Sequence, residues 1–406
     1  MAPHMATPQA FDDIVIGSGL AALGIVLGLP AERRVLVIAG PTSGEFAYYD
    51  DRRNVPCAYI GEGGLGNEWH GVIPVGLNRY DQSERAAFEP LFRTFYPRTP
   101  TTGQSGQPLL FIPWKPIRPK PHLSSITARR GDRFVVLNIL ATRFNFNGAG
   151  VNVSAGAQEF RARRLWIACG ALSTPALLEG SLGPGLARGL VSDHAFCYLG
   201  HVDGQPAPAI SRSVDGMFMP VRYTSSMDAL YTLRPARFAF RQLDFGIEQR
   251  AVFGLPTGKA VQKIARRLSP GLLVEAFFNR FGVLGGSPRH SVYAQVEVPD
   301  AYVQVSGKRS SLSAQVAVIR GRCDQARERQ PYGAIHASQR PDLFIPGIHL
   351  HHSVDLAALS SAGLNLKDSP VQVVDASVMS GVGPDHHSFR MMVAAFRLAQ
   401  ASAGPP

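Results

Sequence analysis

Gly17-Ser18-Gly19-Leu20-Ala21-Ala22 has the form GxGxxA and stands directly behind the apolar stretch Phe11 to Ile16. That spacing suits phosphate. The first glycine turns the chain, the second lets a pyrophosphate approach backbone N–H groups, and Ala22 leaves room for a helix to pack closely on a strand. The helix that opens at Leu20 and Ala21 meets the phosphate with its positive end. A second strand, Arg34 to Ile38, follows at βαβ spacing but runs into Ala39-Gly40, where dinucleotide folds usually carry an acid for the ribose. Glu45 and Asp50-Asp51 are the nearest replacements.

Two further clusters carry chemistry. In Gly61-Glu62-Gly63-Gly64-Leu65-Gly66-Asn67-Glu68-Trp69-His70-Gly71, glycines such as Gly64 let backbone lie against a flat cofactor, and Asn67 brings a donor and an acceptor to its edge. Histidines recur at His349, His351, His352, His386 and His387. Imidazole titrates near neutrality and suits a general base. Alternation along an extended segment puts His349 and His351 on one face and His352 on the other. No neighbouring carboxylate or cysteine spacing supports a metal site there, and none is expected.

The elements that must hold these residues can be read around them. Leu165 to Cys169 reads as a strand, Gly170 as a turn, and the residues after it as a helix with Ser173 or Thr174 as N-cap and Pro175 in its first turn. Ser388 to Ala401 reads as a helix capped by Ser388, with Phe389, Met392, Val393 and Phe396 facing a core. Between residues 200 and 340, Ser291 to Val298, Ala301 to Val305 and Ser313 to Ile319 read as strands of an antiparallel sheet, and 257–284 as an amphipathic helical pair.

Composition sets the frame. With 406 residues, 45% hydrophobic and 17% charged, the chain is long enough for one large core or two to three domains and is not a disordered polymer. Its 41 basic and 30 acidic residues give a net charge of +11, which favours anionic partners, yet the basic residues are scattered in pairs and form no nucleic-acid groove. The run Trp114-Lys115-Pro116-Ile117-Arg118-Pro119-Lys120 reads as an extended loop rimming a pocket for an acidic substrate. Residues 14–31 are uncharged, but Asp12-Asp13 precede them and Gly17 and Gly19 interrupt them, so no membrane span is expected. Cys57, Cys169, Cys197 and Cys323 show no CxxC spacing; neither zinc nor a disulfide is expected, Cys169 and Cys197 read as buried apolar residues, and a reducing cytoplasm fits.

Taken together, these segments resemble the glucose-methanol-choline (GMC) family of flavoproteins. Residues 170–181 are similar to the family's second signature, lacking one glycine after Ser181, and Val191-Ser192-Asp193-His194 looks like its Asp-His element. Val371 to Met379, with Asp375-Ala376-Ser377, is similar to the final strand plus D-[GA]-S. The resemblance implies an α/β fold: a Rossmann-like FAD-binding domain formed by 11–75, 125–200 and 340–406, and a substrate domain with an antiparallel sheet and helices formed by 76–124 and 201–339. It implies FAD held by Gly17, Ser18, Gly19, Leu20, Ala21, Ala22, Gly64, Asn67, Trp69, Gly170, Asp375, Ala376, His387 and Ser388. It also implies oxidation of an alcohol by hydride transfer to the flavin, with His386 or His387 and one of His351 and His352 taking the hydroxyl proton. The substrate expected is a small or carrier-bound molecule, anionic in view of the basic surface, in a biosynthetic tailoring step. The family's H-x-x-G-T context is missing around the upstream histidines, which leaves a desaturation, elimination or redox-neutral rearrangement as the second reading. Ala39 motivates a third, a Rossmann binding protein without FAD.

Overall fold

The computed structural model describes residues 9–41, 45–49, 54–59, 61–67, 69, 71–76, 80–100, 108–148, 150–203, 210–235, 289–304, 311–337, 344–347, 349–366 and 368–402. The segment 257–284, Asp50-Asp51 and the side chain of Glu45 lie outside this description.

The first sheet contains β1 (Gln9–Ile16), β2 (Val35–Ala39), β7 (Phe134–Asn138), β8 (Ala141–Phe146), β9 (Val151–Ala155), β10 (Gln158–Ile167) and β20 (Val371–Val373). Their order is β7-β2-β1-β10-β9-β8, with β20 also on β10. The pairs among β7, β2, β1, β10 and β20 are parallel. Parallel strands covered on both faces need continuous apolar runs, and Val35–Ala39 is buried at every position. Val15, Val35 and Val37 point into a core shared with α1 (Leu20–Gly28), α2 (Gln82–Phe95) and α7 (Ser388–Ala401). Ile14, Ile16, Leu36 and Ile38 point the other way, towards α4 (Gly170–Leu182) and α6 (Leu356–Ser361).

Close backbone approach explains three glycines. A Cβ on Gly17, at φ +111°, would sit 2.1 Å from the carbonyl oxygen of Ala168. On α1, Cβ atoms at Gly24 and Gly28 would lie 2.5 Å from Met392 O and 2.4 Å from Phe396 O. The two helices therefore cross with backbone against backbone.

A second sheet contains β3 (Glu45–Tyr49), β4 (Asn54–Tyr59), β11 (Leu190–Asp203), β14 (Arg222–Tyr223), β15 (Ala229–Pro235), β16 (Arg289–Gln304), β17 (Ser311–Ala314), β18 (His336–Ala337) and β19 (Phe344–Pro346). A third contains β5 (Ile73–Val75), β6 (Leu109–Pro113), β12 (Ser211–Arg212) and β13 (Gly216–Pro220). Both are mainly antiparallel. The strands β3, β4 and β11 join the second sheet, although sequence reading groups their residues with the first unit.

Several local expectations need correction. Ser291–Val298 and Ala301 onward form one strand, β16, continued through Asp300 at φ +54°. Ser313–Ile319 divides into β17 and α5 (Val316–Glu328), because Ile319, Cys323 and Ala326 bury at helical spacing. Helix α4 starts at Gly170 rather than after Ser173 or Thr174, since the carboxylate of Asp375 reaches across to accept the Gly170 N–H. Pro175 then falls inside the helix, and the carbonyl of Ala171 it leaves without an N–H accepts the hydroxyl of Ser353 at 2.6 Å. Ser388 is the first residue of α7, and the capping position belongs to His387. The loop from Trp114 ends at α3 (Pro119–Arg130), with Pro119 in the first turn.

Cys197 on β11 and Cys323 on α5 form a disulfide with Cα atoms 6.0 Å apart. This overturns the reading without disulfides, and with it the ground for a reducing cytoplasm. The two cysteines are 126 residues apart, so no spacing signature revealed the pair. Among the described residues no helix is long and apolar enough to cross a membrane.

Candidate active site

Three chain segments bring histidines together. Residues 349–354 run between the start of β11 and the turn after β20: Ser192 and His351 exchange backbone hydrogen bonds, and His352 and Ser353 donate to the carbonyls of Ala376 and Ser377. This fixes the alternation expected from the sequence. The rings of His349 and His351 lie 5.5 and 5.7 Å from that of His194, and His387 approaches His351 to 4.9 Å, His194 to 5.2 Å and His349 to 5.6 Å. His386 lies 5.6 Å from His349 and 6.0 Å from Phe196.

His352 is not part of this cluster. It takes φ +52°, and its Nδ1 lies 3.1 Å from Nη1 of Arg188, which also pairs with Asp300. Burial and the Arg188 guanidinium push its pKa down. Of the two alternatives, His351 therefore lies inside the imidazole cluster and His352 outside it.

His351 is fully buried, with Nδ1 2.8 Å from the carbonyl of His349 and Nε2 3.2 Å from Oε1 of Glu297. Burial works to raise the pKa of Glu297, but the bond to His351 and the backbone N–H groups of Gly383 and Val382 outweigh it and hold the carboxyl below its usual value. Asp193 accepts the His349 N–H at 2.6 Å and the Tyr302 hydroxyl at 2.9 Å; burial raises its pKa to about 6. His194 and His387 are both held well below the ordinary histidine value, first by burial and then by the neighbouring imidazoles. At neutral pH their rings are uncharged.

His386 and His387 open onto a pocket lined also by Pro74, Tyr80, Val382, Asp385 and Arg390. Arg390 is ion-paired with Glu84 of α2, which in turn completes a capping box with Asp81. Asp385 accepts from the hydroxyl of Tyr223. The Nδ1 of His387 is buried without a hydrogen-bond partner among the described residues. No side chain caps the N-terminus of α7 above it.

The fold is similar to that of a pyridoxine 4-oxidase. The crystal structure of that enzyme from Mesorbium loti superposes with a TM-score of 0.52 at 13% identity, covering 98% of this chain and 100% of that one. A variant of formate oxidase from Aspergillus oryzae, made to study FAD modification, aligns at 11% identity with a TM-score of 0.47 over 97% and 98% of the two chains. No protein-family model and no curated protein sequence matches. The α/β class read from the sequence stands, and the likeness to pyridoxine 4-oxidase is one of fold.

The hydroxyl of Ser18 accepts the Gly63 N–H at 2.8 Å, joining the GxGxxA turn to the second glycine-dense loop. Asn67 donates to the carbonyl of Glu62 and fills the space beside Gly63, and the carbonyl of Trp69 accepts from Arg118. Asp375 is occupied within the protein: besides Gly170, it accepts the Thr174 hydroxyl at 2.6 Å and the Ser377 N–H at 2.8 Å, and burial raises its pKa. Sequence reading missed Glu297 altogether and named Asp193-His194 only as a family element. Glu297 stands in an ordinary strand pattern with no motif around it.

Proposed function

We propose that this chain is an FAD-dependent oxidoreductase of the GMC type that oxidises the CH–OH group of a small molecule. The observation that carries this reading is His387, which stands at the uncapped start of α7 with an Nδ1 that has no partner among the described residues, beside the pocket, while α7 packs on the helix that leaves the GxGxxA turn.

The residues present fit a flavin dinucleotide. No side chain caps α1, and a Cβ on Gly19 would meet only the carbonyl of Gly63, at 3.8 Å, which supports space for a pyrophosphate at the helix N-terminus. A Cβ added at Gly64 or Gly170 would have no atom within 4 Å, and the indole N–H of Trp69 is buried and unpartnered among the described residues. Gly17 to Ala22 would hold the pyrophosphate, and Gly64, Asn67, Trp69, Gly170 and the 375–376 backbone would line the rest. Asp375 would orient the start of α4 rather than take the cofactor on its own carboxylate.

FAD, when bound, would accept the hydride from the substrate carbon. The protein's own part is the proton. His387 is uncharged at neutral pH, and its Nδ1 is the atom available to take the substrate's hydroxyl proton, with His386 on the same pocket wall. A base of unperturbed pKa, as the sequence suggested, is replaced at His387 by a weaker one. Positive dipole at the start of α7 would favour negative charge developing beside it. Arg390 on the pocket wall is paired with Glu84, so the case for an anionic substrate rests on the basic surface alone. We place the reaction in a biosynthetic tailoring step because the middle of the chain departs most from the family pattern.

The test is the absorption spectrum of the purified protein, followed by identification of any cofactor released on denaturation. Flavin absorption and released FAD support the reading. A colourless protein that takes up no added FAD overturns it.

A further inference from the structure

His194 on β11 and Glu297 on β16 are register partners across the antiparallel ladder. Both side chains reach the same residue in the turn before α7. Nε2 of His194 donates to the carbonyl of Gly383 at 2.7 Å, and the N–H of Gly383 donates to Oε2 of Glu297 at 2.7 Å. A carbonyl only accepts, so this contact fixes the His194 tautomer with hydrogen on Nε2. Gly383 has φ +69°, a conformation suited to glycine, and four residues later the chain reaches His387.

The other oxygen of Glu297 faces His351, whose two ring nitrogens meet a carbonyl and a carboxylate. Neither partner can donate. Bonding both nitrogens takes one proton more than a neutral imidazole and a carboxylate hold together.

We propose that Glu297 is a positioning residue for His387: one carboxylate oxygen retains a second proton on His351, and the other holds the turn that carries His386 and His387. The proposal rests on the reading of those two histidines as the residues that face substrate. The groups around His351 are Glu297, His194, His387, Asp193 and the carbonyl of His349, with Arg188 and Asp300 beyond His352. Glu297 is the carboxylate in direct contact, so the proton stays while that charge stays. A cationic His351 ring 4.9 Å from His387 then opposes protonation of His387.

The experiment is nitrogen-detected NMR of the full-length protein labelled at histidine, from about pH 6 to about pH 9, which spans the ordinary histidine value. Glu297→Gln is compared with the native protein, His351→Gln identifies the resonance, and flavin absorbance is recorded on each sample. In the native protein His351 shows two protonated ring nitrogens at neutral pH; in Glu297→Gln it loses one, and His387 becomes easier to protonate. With a substrate in hand, Glu297→Gln moves the acid limb of the kcat profile to higher pH with KM little changed. A native His351 with one protonated nitrogen at neutral pH overturns the proposal, as does an unaltered His351 in Glu297→Gln. Should that variant fail to fold, the native spectrum decides alone. Colourless protein with a doubly protonated His351 overturns the flavin reading and supports the clamp; flavin-loaded protein with a neutral His351 does the reverse.

Discussion

Asp193 and His349 are joined by a 2.6 Å hydrogen bond from the His349 backbone N–H to Oδ1, so the carboxylate next to His194 in sequence also sets the height of the second histidine segment. This carboxylate is 1% exposed. Its environment yields the first prediction.

Burial raises the Asp193 pKa from 3.8 to about 6. Below the lower value both folded and unfolded chains hold the proton, and above the higher value neither does. Between them only the unfolded chain releases it, so Asp193 lowers stability as pH rises from about 4 to about 6, by up to about 3 kcal/mol. Chemical denaturation of Asp193→Asn across that window should show a flatter pH dependence than the native protein. Parallel curves would mean that Asp193 ionises in the fold as readily as in the unfolded chain.

Gly17 and Gly19 separate the fold from the cofactor. Gly17→Ala drives a Cβ onto the Ala168 carbonyl at φ +111° and should lower stability by several kcal/mol. Gly19→Val meets little protein, so the variant should fold and lose FAD. A folded Gly19→Val protein that keeps its flavin would reject the phosphate-loop assignment.

Removing a catalytic base typically costs ~10²-fold or more in rate. His387→Ala and His386→Ala should each show a fall of that order with any alcohol that reduces the bound flavin, while FAD stays bound. His352→Ala, outside the cluster, should lose far less activity than either. A larger loss in His352→Ala than in the other two would return the role to His352.

Reduction of Cys197–Cys323, or Cys197→Ser, should cost about 2–4 kcal/mol and lower Tm. Mass spectrometry of the unreduced protein after alkylation gives the independent check. Two freely alkylated thiols at these positions would show that the bridge does not form.

The parts of the molecule legible in the sequence are those where local pattern and close approach coincide. The β1 turn needed glycine at Gly17, and α7 runs over the span its apolar spacing demanded, from Ser388 to Ala401. What stayed hidden depends on partners distant in sequence. The α4 start is moved by Asp375, 205 residues away, and Glu297 becomes important only through His351 and Gly383, 54 and 86 residues away. The place of His352 outside the cluster likewise turns on an Arg188 contact 164 residues distant. Periodicity describes which face of an element is apolar, not which polar group from another segment will arrive there.

The crossing of α1 and α7 sets an order of assembly. Helix α1 is among the earliest parts of the described chain to emerge during synthesis, yet the backbone that fills the notches at Gly24 and Gly28 is made more than three hundred residues later. Until then the phosphate-type turn has a helix with one bare face behind it, and long-range closure of this kind is slow. A nascent chain stalled before Met392 would carry the complete GxGxxA turn and still lack the surface that presses it into shape.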